Sequence, residues 1–164
     1  MQSQTTKEHT WLRQLLGNWV GEGEAKMGPD SPPEKWKIPE QVTAIGDVWV
    51  QGRSEGDMPG CGHGVMVMTL GYDPARGHFV GTFIGSMMTH MWVYEGDLEP
   101  DGRTLTLRAD GPAFTPEGKV VEGKTAKYRD VIAFQNDNQR TLTSFMQGDD
   151  GEWNQIMQAT YKRQ

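Results

Sequence analysis

The side chains with the most chemical reach in this sequence are His90 and Asp130, Cys61 and His63, and the hydroxyls of Ser86 and Ser144. A carboxylate beside an imidazole orients the ring and favours its protonated form, which is the outline of a general base. His90 and Asp130 are therefore the candidate catalytic pair. Neither serine stands in the Gly-x-Ser-x-Gly elbow that would present a nucleophile to them. Cys61 and His63 lie in Pro59-Gly60-Cys61-Gly62-His63-Gly64. A thiol near an imidazole can be reactive, but one Cys-x-His lacks the further ligands of a zinc site, so no metal is expected. The surrounding glycines suit a β-bulge or a hairpin turn.

These groups have to be placed by strands. Thr5–Leu16 reads as the one helix: Thr5 and Glu8 form a capping box, Trp11, Leu12, Leu15 and Leu16 form an apolar stripe, and Gly17 stops it. After Trp19 the chain breaks into short segments rich in Val, Thr and aromatic residues, each bounded by Gly, Pro, Asn or Asp. Nine strands are predicted: 18–26, 40–51, 62–71, 77–85, 90–97, 103–109, 127–135, 140–147 and 153–162. Asp73-Pro74, Pro100-Asp101-Gly102, Asn136-Asp137-Asn138 and Gly148-Asp149-Asp150-Gly151 carry tight-turn chemistry, which joins antiparallel neighbours. Such a meander hides its edges by closing, so the predicted fold is an all-β, antiparallel up-and-down barrel with a short N-terminal helix capping one end. A two-sheet sandwich is the alternative. The stretches 27–39 and 110–123 hold most of the prolines and are predicted to be loops near an open end. Residues 1–164 read as a single domain.

Alternation along each strand then selects the inward face. It sends His90, Trp92 and Tyr94 inward, with Tyr128, Asp130, Ile132 and Phe134 from the next-but-one strand and Leu142, Ser144 and Met146 beyond it. In 62–71 both faces are apolar, and Met66, Met68 and Leu70 are placed inward because flexible thioethers line adaptable sites. The last strand is expected to turn Trp153, Gln155, Met157, Ala159 and Tyr161 inward. The candidate ligand-binding residues are Met66, Met68, Phe83, His90, Trp92, Tyr94, Tyr128 and Met146. Aromatics and methionines with a few polar groups are the usual lining of a small-molecule pocket, and also of a packed core.

Composition narrows the partners. The chain of 164 residues carries 16 Lys and Arg against 22 Asp and Glu, a net charge of -6. No basic stripe is present to neutralise a phosphate backbone, so nucleic acid is not an expected partner. No segment reaches the ~18 apolar residues of a membrane-spanning helix, and the first ten residues lack the apolar core of a secretory signal. Cys61 is the single cysteine, which fits a reducing compartment. The expectation is a cytoplasmic protein without a membrane partner, and no motif specifies a cofactor.

Gly17-Asn18-Trp19, opening the first strand after a short helix, resembles the Gly-x-Trp signature of the calycin (lipocalin-like) superfamily, and the chain ends on Tyr161-Lys162-Arg163. Together with Leu70-Gly71-Tyr72-Asp73-Pro74, the run from Gly81 to His90, Tyr94-Glu95-Gly96 and Tyr128-Arg129-Asp130-Val131, it resembles the bacterial family named domain of unknown function 1579, which is placed among the calycins. The resemblance covers nearly the whole chain. It implies a barrel whose closed end is plugged by Trp19 with Arg163 lying across it. Some calycins hold haem through one histidine, which would make His90 or His63 its ligand. The family brings no established activity.

Three readings follow. The leading one is a barrel that holds a small, mainly apolar molecule in its interior. The second is an enzyme acting on a bound small molecule through His90 and Asp130, and the third a filled barrel with a structural role or working as a homo-oligomer.

Overall fold

The structure, a computed structural model, describes residues 4–164. The N-terminal helix is shorter than its apolar stripe. It spans Lys7–Leu12 (α1) and tightens into a 3-10 turn at Arg13–Leu15 before the chain straightens. The cap sits one residue later than expected, at Thr6, whose backbone N–H donates to Nδ1 of His9 at 3.0 Å. Imidazole thus takes the place assigned to Glu8.

Ten strands follow: β1 Gly17–Ala25, β2 Glu34–Ile45, β3 Trp49–Met58, β4 Gly62–Asp73, β5 His78–Gly85, β6 Trp92–Leu98, β7 Thr104–Phe114, β8 Val120–Asn136, β9 Gln139–Gln147 and β10 Trp153–Arg163. Each pairs antiparallel with its chain neighbours, and β1 closes on β10, giving an up-and-down barrel. The count exceeds the expected nine because 40–51 is a hairpin and not one strand. Its turn follows Ile45, with Gly46 at φ +60°, and offers only Gly46-Asp47 as turn chemistry between two apolar runs. The two proline-rich stretches are also more ordered than predicted. Pro39 sits inside β2 opposite Val20, and Pro112 inside β7, where the ladder to β8 slips by a bulge between Pro112 and Ala113.

One end is built as a core. Leu12 and Leu15 descend from α1 and its 3-10 turn onto Trp19, Leu70, Phe79, Leu105, Ile132 and Phe134, all buried. Trp11 closes the rim edge-on to Phe79 and Phe134, at 5.8 and 5.7 Å between ring centres, and donates its indole N–H to the Gly102 carbonyl. The apolar stripe of the helix is thereby explained as a lid on the barrel. No helix among the described residues is long and apolar enough to cross a membrane.

Candidate functional site

The ladder registers fix what faces the lumen. Ser54, Met66 and Gly85 share one row, Gly52, Met68, Phe83 and Trp92 the next, and Leu70, Gly81 and Tyr94 a third. Across the barrel, Tyr128 with Met146, Asp130 with Ser144 and Met157, and Ile132 with Leu142 and Ala159 form matching rows. Seven of the eight residues named for ligand contact, Met66, Met68, Phe83, Trp92, Tyr94, Tyr128 and Met146, therefore face inward. Their exposure divides the barrel. At the closed end Trp19, Leu105 and Leu107 are 0% exposed and Ile132 2%. Nearer the mouth Met66, Phe83, Trp92, Asp130, Met146 and Met157 are only partly buried although they point inward, as are Met68 and Leu142 at the boundary with the core. At this end the inward-facing side chains are thus only partly buried, in contrast to those of the closed end.

This half is built from glycines overlain by thioethers and rings. A Cβ on Gly111 would stand 2.3 Å from the Trp92 ring, one on Gly23 2.6 Å from Trp36, and one on Gly85 2.5 Å from the Met87 sulfur. Gly64 is covered in the same way by Met58 and Met87. Trp92 stands edge-on to Tyr128 at 4.6 Å, and its indole N–H points to the sulfur of Met88 at 3.2 Å. Over Gly64, Gly85 and Gly111 the filling is supplied by side chains that rotate and not by the backbone, whereas over Gly23 the Gln158 carbonyl stands as close as the ring.

Asp130 is the polar feature of the lumen. The Tyr94 hydroxyl donates to one carboxylate oxygen, and the Ser144 hydroxyl is a second donor. Removal from bulk water pushes the carboxyl above its ordinary range, against the lowering effect of the Ser144 and Tyr94 hydrogen bonds. Burial also raises the Tyr94 phenol well above its usual value, with the Asp130 charge adding to it, so the phenol remains a donor at neutral pH. No Lys, Arg or His among the described residues pairs with Asp130.

His90 is not Asp130's partner. It precedes β6, so strand alternation does not govern it, and its Nε2 lies 3.0 Å from the Asp110 carbonyl while its ring stands edge-on to Trp92 at 4.8 Å. No hydrogen bond or ion pair joins His90 to Asp130, which corrects the expected acid–base pair. What His90 does bridge is a seam. The β6–β7 ladder covers only Glu95–Leu98 against Leu105–Arg108, whereas β7 continues to Phe114 paired to β8 alone. Towards the mouth the two strands are joined by the His90 side chain and by Trp92 lying on Gly111.

The remaining candidates lie outside the barrel. Cys61 is exposed in the β3–β4 turn, with its N–H on the Met58 carbonyl. His63 is exposed and pairs with Glu55 at 3.1 Å and Asp57 at 3.6 Å, Glu55 holding its pKa above the ordinary value. The Ser86 hydroxyl accepts from the Val65 N–H. A haem iron would need an imidazole directed into the lumen, and the residues do not fit: His63 and His78 are engaged with carboxylates on the outer face, His9 with Tyr72 at the closed end, and His90 with the Asp110 carbonyl. Trp153 and Gln155 also turn away from the interior, because β10 slips register between Gln155 and Met157. Trp153 instead takes the Arg129 guanidinium over its ring at 4.7 Å.

Trp19 is fully buried at the closed end, with the Arg163 guanidinium 4.2 Å over its ring and bonded to the carbonyls of Leu16, Gln14 and Asp137. A second guanidinium went unpredicted. Arg140, 4% exposed, stacks 4.7 Å from Trp19 and 4.1 Å from Tyr161 and forms an ion pair with Glu40 across the barrel. A void of about 30 Å³ beside this pair, bounded by Leu15, Val50, Met68 and Ile132 among others, is water-sized. The signal was present: the alternation that turns Leu142, Ser144 and Met146 inward does the same to Arg140.

At the mouth, the β1–β2 connection folds over the β7–β8 hairpin, with Asp30 N–H on the Pro116 carbonyl at 2.9 Å. Between them a depression of about 390 Å³, lined by Met27, Pro29, Phe114 and Met146 among others, leads to the rim. Two larger depressions, about 640 and 670 Å³, lie along β1, β2 and β10 among charged side chains.

The result is a closed antiparallel up-and-down barrel with a helix packed over one end, a lipocalin-like fold. Its structural neighbours agree: Rv2717c from M. tuberculosis has a TM-score of 0.61 at 14% identity, over 98% of this chain and 99% of its own. The S-type phycobiliprotein lyase CPES from Guillardia theta has a TM-score of 0.59 at 16% identity, over 98% and 94%. At these identities the likeness is one of fold. Residues 4–163 match the family described as Protein of unknown function (DUF1579), and the chain belongs to that family. No curated protein matches it.

Proposed function

We propose that this protein binds a small, mainly apolar molecule in the mouth half of the barrel, among Met66, Met68, Phe83, Trp92, Tyr128 and Met146. The observation that carries the reading is the accessible surface of inward-facing side chains there, against its absence at the closed end. Methionines and rings laid over glycines can swing aside without moving backbone, so the lumen adapts to its occupant at small cost. The seam between β6 and β7, held by His90 and Trp92, offers a lateral route inward. An enzymatic reading loses its support, since His90 and Asp130 serve different partners. The likeness to a phycobiliprotein lyase agrees with a barrel that handles small molecules and names no ligand for this chain.

The test is a fluorescence titration with the neutral probe N-phenyl-1-naphthylamine. Saturable enhancement of the probe is expected, with tryptophan quenching that shrinks in Trp92→Ala. Absence of saturable binding, or quenching unaltered by Trp92→Ala, would remove the lumen as the site.

A further inference from the structure

Asp130 does something the packing does not require. A buried carboxyl is normally balanced by a cation or replaced by an apolar residue, because its charged form loses hydration. Glu40, an inward-facing carboxylate deeper in the barrel, has such a partner in Arg140. Arg163 spends its donors on backbone carbonyls at the closed end. Asp130 has only two hydroxyls, those of Tyr94 and Ser144, and the residue as a whole is only partly buried. Both donors hold the carboxyl in place without neutralising it. One row nearer the mouth stands Tyr128, with Trp92 edge-on at 4.6 Å and Phe83 paired across β5 to Trp92. A carboxylate set behind electron-rich rings is the arrangement that recognises organic ammonium and protonated heteroaromatic groups. The chain's net charge of -6, with Glu34 at the rim on the lumen-side face of β2, adds a field that draws cations.

We infer that the ligand of this barrel is a flat organic cation, whose protonated nitrogen seats on the Asp130 carboxylate while its ring system lies among Trp92, Tyr128 and Phe83. The ligand supplies the countercharge that the protein leaves out. This rests on the lumen being the binding site, and it adds the sign and place of the ligand's charge.

Two three-ring fluorescent dyes of similar shape separate the claims: 9-aminoacridine, cationic at neutral pH, and acridone, neutral. Fluorescence anisotropy on the wild-type protein should give 9-aminoacridine an affinity at least about tenfold above that of acridone, as a charge-assisted hydrogen bond provides. In Asp130→Asn that preference should vanish while acridone binding stays unchanged. A second variant, Ser144→Ala, keeps the carboxyl and should keep the preference, which guards against a misfolded Asn variant. Equal affinities in the wild type, or an equal loss of both dyes in Asp130→Asn with Ser144→Ala intact, would overturn the cation assignment and leave the lumen reading standing. Binding of neither dye would overturn both.

Discussion

The two halves of this barrel are made from the same ten strands and opposite materials. At the closed end, branched aliphatic and aromatic side chains interlock under the helix, Trp19 lies beneath Arg140 and Arg163, and the main core residues are out of contact with water. At the mouth, glycines carry thioethers and rings, inward-facing side chains stay partly exposed, and the β6–β7 ladder stops at Glu95 and Arg108. One half spends its sequence on rigidity and the other on room. Stability is unevenly distributed in folded proteins, and the elements that admit ligands come from the weaker end.

The comparison is broken or sharpened first by truncation on each side. Leu105→Ala removes a fully buried side chain at the closed end, where neighbours cannot collapse, and should cost about 2–5 kcal/mol. Met87→Ala removes a half-buried thioether lying against Gly64 and Gly85 and should cost about 1 kcal/mol or less. Urea unfolding monitored by circular dichroism reads both. Equal losses would mean that the mouth is packed like the core, and the division would fall.

A smaller effect concerns proton linkage. The folded-state pKa of Asp130 lies above its ordinary value, so the folded chain holds that proton more tightly than the unfolded chain. The resulting stability is complete below the unfolded carboxyl pKa of about 3.9 and is lost as the pH rises through the folded value. Asp130→Asn cannot ionise. The melting temperature of the variant relative to the wild type should be lowest near pH 4, rise as the pH climbs above the unfolded carboxyl value, and level off once the folded value is passed. The groups facing Asp130 do not reverse this sign: Tyr94 from β6 and Tyr128 on β8 are both pushed up and stay neutral, Ser144 comes from β9, and β7 presents the apolar Leu107. A difference that shrinks with pH would show Asp130 to be stabilising as an anion.

Much of this was legible where local chemistry decides. Asp101 accepts from the N–H groups of Arg103 and Thr104, and Asn136 from that of Asn138, as their turn composition predicts. Alternation placed Trp92, Tyr94, Tyr128 and Met146 because those segments are regular ladders, whereas in 62–71, with both faces apolar, it was the thioether character of Met66 and Met68 that chose the face. Alternation failed where a ladder breaks: His90 precedes its strand, and the bulge in β10 reverses Trp153. A bulge is set by the partner strand, and nothing in Trp153–Tyr161 announces it. Proline misled for a related reason, since Pro39 and Pro112 suggested loops but are accommodated inside strands, the second at a bulge. Glu40 and Arg140, distant in sequence, meet only because the barrel closes.

The central claim, that the mouth half receives the ligand while the closed half stays fixed, is tested most directly by methyl NMR during titration with N-phenyl-1-naphthylamine. The ε-methyls of Met66, Met68, Met87 and Met146 are expected to shift with saturation, while the methyls of Leu105, Leu107 and Ile132 hold their positions. Shifts of comparable size at the closed-end methyls, or a bound probe with no methionine response, would contradict it.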